Sequence, residues 1–152
     1  MADLRTTHLM TLALAVSGSQ TIGDTPIGAR RIGLVAGGSF TGERLSGTVL
    51  PSGTDWIVRR ADGVTVLDVR LVLETADKAM IAMTYRGLRH GPADVMARLD
   101  RGEAVDPAAV YFRTSVIFET AAPRYDWLNR IIAVGTGRRP PEGPVYDVFE
   151  VL

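Results

Sequence analysis

The sequence predicts an all-β fold, and three observations carry that expectation. Most segments are short and rich in Val, Ile, Leu, Thr and aromatic residues. Gly, Pro, Asp or Asn punctuation separates them at close intervals. Only one stretch has clear helical character. The strands fall near 8–16, 27–35, 39–50, 54–60, 64–75, 79–89, 111–121, 131–138 and 144–151. Turns come from GDTPIG (23–28), AGG (36–38), PSG (51–53), ADG (61–63) and RRPPEGP (138–144), whose residues tolerate positive φ or preset a turn. Links this short join neighbouring strands as antiparallel hairpins.

The exception is GPADVMARLDRG, residues 91–102. Pro92 suits the first helical position and Asp94 the first turn, where the helix dipole favours an acid. Val95 and Leu99 fall four apart, and Gly102 can end the helix. This segment reads as a short lid or plug; YDWLNR (125–130) allows a second helical turn. Many strands with about one helix leave two arrangements, a closed or nearly closed antiparallel β-barrel of about 8–10 strands or a sandwich. The strand at 64–75 puts Leu67, Val69, Leu71 and Leu73 on one face and Val66, Asp68, Arg70, Val72 and Glu74 on the other. A sandwich would leave that second face in water, whereas a barrel could turn it toward a polar lumen.

At 152 residues with no compositional break, the chain is expected to be one domain, 1–152. Its 46% hydrophobic and 22% charged residues are those of a globular protein with a proper core. Formal charge is zero and no run of like charges occurs, which argues against nucleic acid, since phosphate binding draws on concentrated positive charge. Sixteen of the 17 basic residues are arginine, a bias read as genome composition. The absence of cysteine removes disulfides, thiolate catalysis and cysteine metal sites together. LMTLALAV (9–16) superficially mimics a signal-peptide core. It is short, Asp3 offsets Arg5, and no small-residue cleavage site follows, so a buried first strand and a cytoplasmic protein are expected. No run is long enough to span a membrane.

His8 and His90 lie far apart and no metal-ligand spacing occurs, so no metal is expected, and no cofactor either. There is no G-x-S-x-G, and AGGS (36–39) lacks the dinucleotide fingerprint and reads as a tight turn. What remains are polar residues inside otherwise apolar strands: Asp55, Asp68, Arg70, Glu74, Tyr85, Arg113 and Glu119. Each either faces water or joins a network, because charges are seldom buried unpaired. Arg70 could hold a carboxylate or steady an enolate. Asp55 beside Trp56 could have its pKa raised into the range useful for acid–base work.

The run VAGGSFTGERLSGTVLPSGTDWIVRRADGVTVLDVRLVLET (35–75), with MTYRGLR (83–89), YFRTSVIFET (111–120), YDWLN (125–129) and VYDVFEV (145–151), resembles the domain of unknown function 3237 family (the UPF 0311 proteins). The resemblance spans residue 8 to the end. It implies a calycin-like antiparallel barrel, usually oligomeric, with a central cavity. The family's D-W element falls on Asp55 and Trp56, its D-x-R element on Asp68 and Arg70, and its Y-x-G element on Tyr85 and Gly87. The F-E pair falls on Phe118 and Glu119, and the WLN element on Trp127, Leu128 and Asn129. Ser52, where the family often has glycine, bears only on the local turn.

The leading expectation is therefore a cofactor-independent lyase, hydratase, isomerase or cyclase working in the barrel cavity. Asp55 or Glu119 would move a proton, and Arg70 and Tyr85 would stabilise an oxyanion. Trp56, Phe118 and Trp127 would wall the pocket, with Arg113 and Asn129 as further ligand contacts. The expected ligand is a small apolar or aromatic molecule with a polar, carboxylate or carbonyl end, and the chain is expected to form a homo-oligomer, a dimer first. The alternative is a lipocalin-like binder without catalysis. A third reading is an assembly role, with the charged face buried between subunits.

Overall fold

In the computed structural model, which describes residues 2–152, nine antiparallel strands close into a ring of hydrogen bonds. The strands are β1 (Thr6–Thr25), β2 (Gly28–Thr41), β3 (Ser46–Val49), β4 (Gly53–Arg59), β5 (Thr65–Thr75), β6 (Met80–His90), β7 (Tyr111–Glu119), β8 (Ala133–Arg138) and β9 (Val145–Val151). One α-helix, α1 (Ala93–Asp100), and two 3₁₀ segments, Pro107–Ala109 and Pro123–Arg130, complete the fold. β1 closes the ring by pairing with β9 through Thr6–Ala13 and with β2 through Thr11–Thr25. Closure of this kind leaves main-chain edges only where strands outrun their neighbours, chiefly β1 beyond Leu14, which pairs with β2 alone. No helix among the described residues is long and apolar enough to cross a membrane.

β3 and β4 share one place in the wall. β3 sits between the end of β2 and the end of β5, and β4 between the start of each. The break between them falls at Leu50–Ser52, where Pro51 has no N–H to give the ladder. Leu50 N–H still reaches the Val72 carbonyl at 2.9 Å, so the wall stays continuous across the break.

AGG (36–38) does not turn the chain, contrary to the sequence reading. β2 runs straight through it, and the register with β1 shifts near Ala15 and Val16, opposite Gly37 and Val35. Gly38 has φ +148°, and a Cβ there would sit 2.2 Å from the Ala13 carbonyl oxygen. Two strands crossing this closely at a bend of the wall need glycine, so these residues mark a bulge. β1 likewise continues far beyond residue 16, forming with β2 a long hairpin that turns at Pro26–Ile27. Thr25 Oγ1 fixes that turn by donating to the Gly28 carbonyl at 2.8 Å.

Alternation along each strand sorts side chains into an interior and an exterior. β5 sends Leu67, Val69, Leu71 and Leu73 inward, all essentially inaccessible, and β6 sends Ile81, Met83, Tyr85 and Arg89. β7 adds Phe112, Thr114, Val116 and Phe118, and β9 adds Tyr146 and Val148. The apolar face of β5 is thus the lumen face, and the face carrying Asp68, Arg70 and Glu74 is the outer one.

The interior differs between its two ends. At the end where β5 meets β6 through a turn, Leu9, Met10, Phe40, Leu73, Ile81, Phe118 and Leu128 pack solidly, and the Pro123–Arg130 segment stoppers the barrel. Its Tyr125 hydroxyl donates to Asp77 at 2.7 Å, and Asn129 clasps Thr120 through two main-chain hydrogen bonds. At the opposite end α1, the segment read as a lid or plug, lies beside the mouth, with Met96 and Leu99 buried against the core. Gly38→Ala should destabilise the fold by at least about 2 kcal/mol, through a strained positive φ and a main-chain clash, measurable as a lower urea midpoint with unchanged slope.

Candidate functional site

The open end holds two adjoining hollows. An inner chamber of about 320 Å³ lies inside the wall and is lined by Leu14, Val35, Asp55, Ile57, Leu67, Tyr85, Arg89 and Tyr146, among others. An outer chamber of about 460 Å³ lies under α1 and the β1–β2 hairpin. Arg31, Ile57, Arg89, Arg139 and Pro141 border both, so the two adjoin. Their size is that of an ordinary small-molecule site, roughly 300–1,000 Å³.

Strand parity brings the polar groups of the inner chamber together. On β6, Tyr85 and Arg89 are four residues apart on the inward face. Asp55 on β4 and Tyr85 both pair with Val69 of β5, Asp55 on one side and Tyr85 on the other. Gly33 pairs with Asp55 across β2. Tyr146 enters from β9, its ring 5.1 Å from that of Tyr85 and edge-on to Phe112 at 5.4 Å. The Arg89 guanidinium stands 5.4 Å from the centre of the Phe112 ring.

These groups have altered acidities with identifiable causes. Burial pushes the Asp55 carboxyl up from its ordinary 3.8 to about 6, against the opposing pull of the Asp68 N–H at 3.2 Å and of Arg89 and Arg31. Burial also raises Tyr146 to about 12 and holds Tyr85 well above the ordinary phenol range, with Tyr146 reinforcing the latter. Both phenols therefore remain proton donors at neutral pH. Burial lowers Arg89, which Arg139 and Arg31 repel, yet a guanidinium keeps its charge in proteins. Arg89 is only 5% exposed and its Nε has no hydrogen-bond partner. The chamber thus offers a carboxyl that can change charge near neutrality, two neutral donors and a fixed cation. That set can take a proton from one atom, return it to another and hold negative charge on oxygen in between. Among the described residues no cluster of three or more His, Asp or Glu could hold a metal ion.

Of the residues singled out from the sequence, Asp55 and Tyr85 line this chamber; the others lie elsewhere. Arg70 is on the outer face of β5, opposite in parity to Val69 and Leu71. Glu119 and Arg113 point outward from β7, whose inward positions are Phe112, Thr114, Val116 and Phe118; Arg113 stacks over Tyr111 at 5.3 Å instead. Trp56 follows Asp55 by one position, so it faces out and is 49% exposed. Phe118 packs in the stoppered end. Trp127 also lies there, under Arg44, whose guanidinium is 3.6 Å from its ring centre. Asn129 shapes a loop there.

Arg89 and Tyr146 are the residues the sequence reading missed. Each had a signal, since Arg89 shares parity with Met83 and Tyr85, and Tyr146 shares it with Val148. Arg31 and Arg139 carried none, because one lies within the bulged β1–β2 hairpin, beside a register shift, and the other lies in a proline-rich loop.

The family model described as "Protein of unknown function (DUF3237)" matches residues 4–151. A UPF0311 protein of Rhodopseudomonas palustris is 37% identical over 149 residues, 98% of this chain and 97% of that protein. A crystal structure of a conserved protein of unknown function from Rhodopseudomonas palustris superposes with a TM-score of 0.96 at 36% identity, covering all of both chains. The crystal structure of a beta-barrel like protein from Acinetobacter baumannii superposes with a TM-score of 0.87 at 33% identity, over 100% of this chain and 98% of that one. A more distant relative is the hydroalkoxylation enzyme phnH of Penicillium herquei, 29% identical over 104 residues, 68% of this chain and 51% of that protein.

The acidity of Asp55 makes a stability prediction. Unfolded, the carboxyl ionises near its ordinary 3.8, and folded near about 6, so between those values the folded state holds the extra proton and stability falls as pH rises. The full penalty, on the order of 3 kcal/mol, applies above that window and none below it. Asp55→Asn should therefore be more stable than the parent at pH 8, with the difference closing as pH falls toward 4, read from urea unfolding at each pH.

Proposed function

The chain belongs to the DUF3237 family, whose members are proteins of unknown function, and we propose that it is an enzyme whose own side chains carry out acid–base chemistry on a small unsaturated molecule. The observation that carries this reading is the placement of Asp55, with its pKa near 6, in a chamber with an unpaired buried guanidinium. A pure binding site has no need to keep a carboxyl poised near neutrality, and perturbed groups of this kind gather at catalytic sites. The name of the Penicillium relative, a hydroalkoxylation enzyme, supports the same class of chemistry, the addition of an O–H across a carbon–carbon double bond.

The chamber suits a substrate with a hydroxyl and a conjugated carbonyl. Ionised Asp55 takes the hydroxyl proton as the oxygen forms its bond to the β-carbon. The alkene electron pair becomes the new double bond between the α-carbon and the carbonyl carbon, and the carbonyl π pair moves onto oxygen, giving an enolate held by Arg89 and by the Tyr85 and Tyr146 hydroxyls. Protonated Asp55 then returns its proton to the α-carbon and is ionised again. Nothing is oxidised or reduced, and the reverse sequence is an elimination. Leu14, Val35 and Leu67 supply apolar walls for the body of the molecule.

The test uses an aryl α,β-unsaturated ketone bearing a side-chain hydroxyl, followed by loss of its conjugated absorbance in H₂O and D₂O. The expected result is cyclisation with one solvent deuterium at the α-carbon, and a rate that rises with pH through about 6. Asp55→Asn should cost about 10²–10⁴ in kcat, and Tyr85→Phe about 10²–10³. Tight binding of such ketones by calorimetry, with no turnover and unchanged affinity in Asp55→Asn, would assign the cavity to a carrier instead.

A further inference from the structure

We propose that the outer chamber binds the anionic group, a carboxylate or a phosphate, of the same small molecule whose reacting end enters the inner one. The inference rests on reading the inner chamber as the place of reaction, and it adds what the substrate must carry at its other end.

Five arginines, Arg30, Arg31, Arg59, Arg89 and Arg139, line the outer chamber against two acids, Asp24 and Asp100. Two of the five have partners. Arg59 holds Asp100 in a two-pronged pair at 2.7 and 2.9 Å, and Arg30 donates to the Trp56 carbonyl at 2.9 Å. The ion pairs among the described residues include none of Arg31, Arg89 or Arg139. Asp24, near the tip of the hairpin, pairs with none of them either.

Two orphaned polar atoms border the same space. Arg89 Nε and Thr65 Oγ1 are both buried without a hydrogen-bond partner, and the two residues face one another across the β5–β6 ladder. They are the buried polar side-chain atoms left unsatisfied among the described residues, and both belong to residues lining this chamber. A buried donor without a partner costs stability, and a cation costs more. Three guanidiniums gathered around a hollow, all of them shared with Asp55's chamber, add to that cost.

An anion removes all of these penalties together. Guanidinium groups pair with carboxylate or phosphate oxygens through paired N–H donors, and the Thr65 hydroxyl can donate as well. Ile57 and Pro141, which border both chambers, give the intervening body of the molecule an apolar path. The substrate class this selects is an amphipathic acid, unsaturated at one end and anionic at the other.

The experiment compares thermal unfolding of the protein in inorganic phosphate, in benzoate and in chloride at matched ionic strength. At roughly ten times Kd the binding anion should raise Tm by about 3–6 °C over chloride. A response to phosphate alone assigns a phosphoryl tail, and a response to benzoate alone or to both assigns a carboxylate or a general anion site. Arg31→Gln/Arg139→Gln should lose the response while being at least as stable as the parent in chloride, since repulsion is relieved. Thr65→Val should weaken anion affinity about tenfold. Asp55→Asn should keep the response, because it alters only the proton-transfer group. Absence of a shift in both anions, or a shift that survives the double arginine substitution, overturns the proposal. Turnover of a neutral ketone alongside that absence would leave the acid–base reading standing.

Discussion

Closure of the hydrogen-bonded wall is the constraint on which everything else here depends. Once β1 bonds to both β2 and β9, every strand has an inside and an outside, and a residue's parity alone decides whether it meets the cavity or water. Asp55, Tyr85, Arg89 and Tyr146 come from β4, β6 and β9, yet they share one small volume because each falls on the inward parity of its strand. No loop has to fold over to assemble them. Rigid walls hold such groups in place better than loops do, which suits chemistry that depends on a fixed arrangement of charge.

That constraint also explains which parts of the molecule were legible in the sequence. The all-β class, most strands and the α1 segment follow from alternation and punctuation, while Asp55 and Tyr85 stood out as polar groups in apolar strands, and both line the inner chamber. Arg70 and Glu119 did not reach the site, and the reason is parity. On β5 the unbroken run Leu67, Val69, Leu71, Leu73 is the lumen face, so Arg70 between them has to face out. A polar residue in a strand is conspicuous in a sequence, but the inward cation was Arg89, which shares its face with Met83 and Tyr85. The AGG bulge and the overlong first hairpin were illegible for a different reason. Glycines that bend a wall and glycines that end a strand look alike until the neighbouring strand is known, and here the decisive neighbour is the Ala13 carbonyl.

The two ends of the barrel divide labour in energetic terms. The stoppered end supplies aliphatic and aromatic burial, together with the Asp77, Tyr125 and Thr75 hydrogen bonds that pin the plug. The open end runs at a deficit, with a desolvated carboxyl, a desolvated guanidinium and an unpaired hydroxyl. Proteins keep such destabilised groups where function uses them, and a solid core elsewhere is what permits it. The molecule concentrates its imperfections in one place.

The β1–β2 hairpin stands outside this division, because it rises past the barrel and contributes Thr21, Gly23, Asp24 and Ala29 to the outer chamber while its tip packs on nothing in the core. Lengthening or recharging the tip alone, between Thr21 and Ala29, would leave the residues that line the inner chamber in place. A change confined to that tip would therefore alter the entrance to the outer chamber without moving Asp55, Tyr85, Arg89 or Tyr146, so the doorway and the interior are physically separable in this architecture.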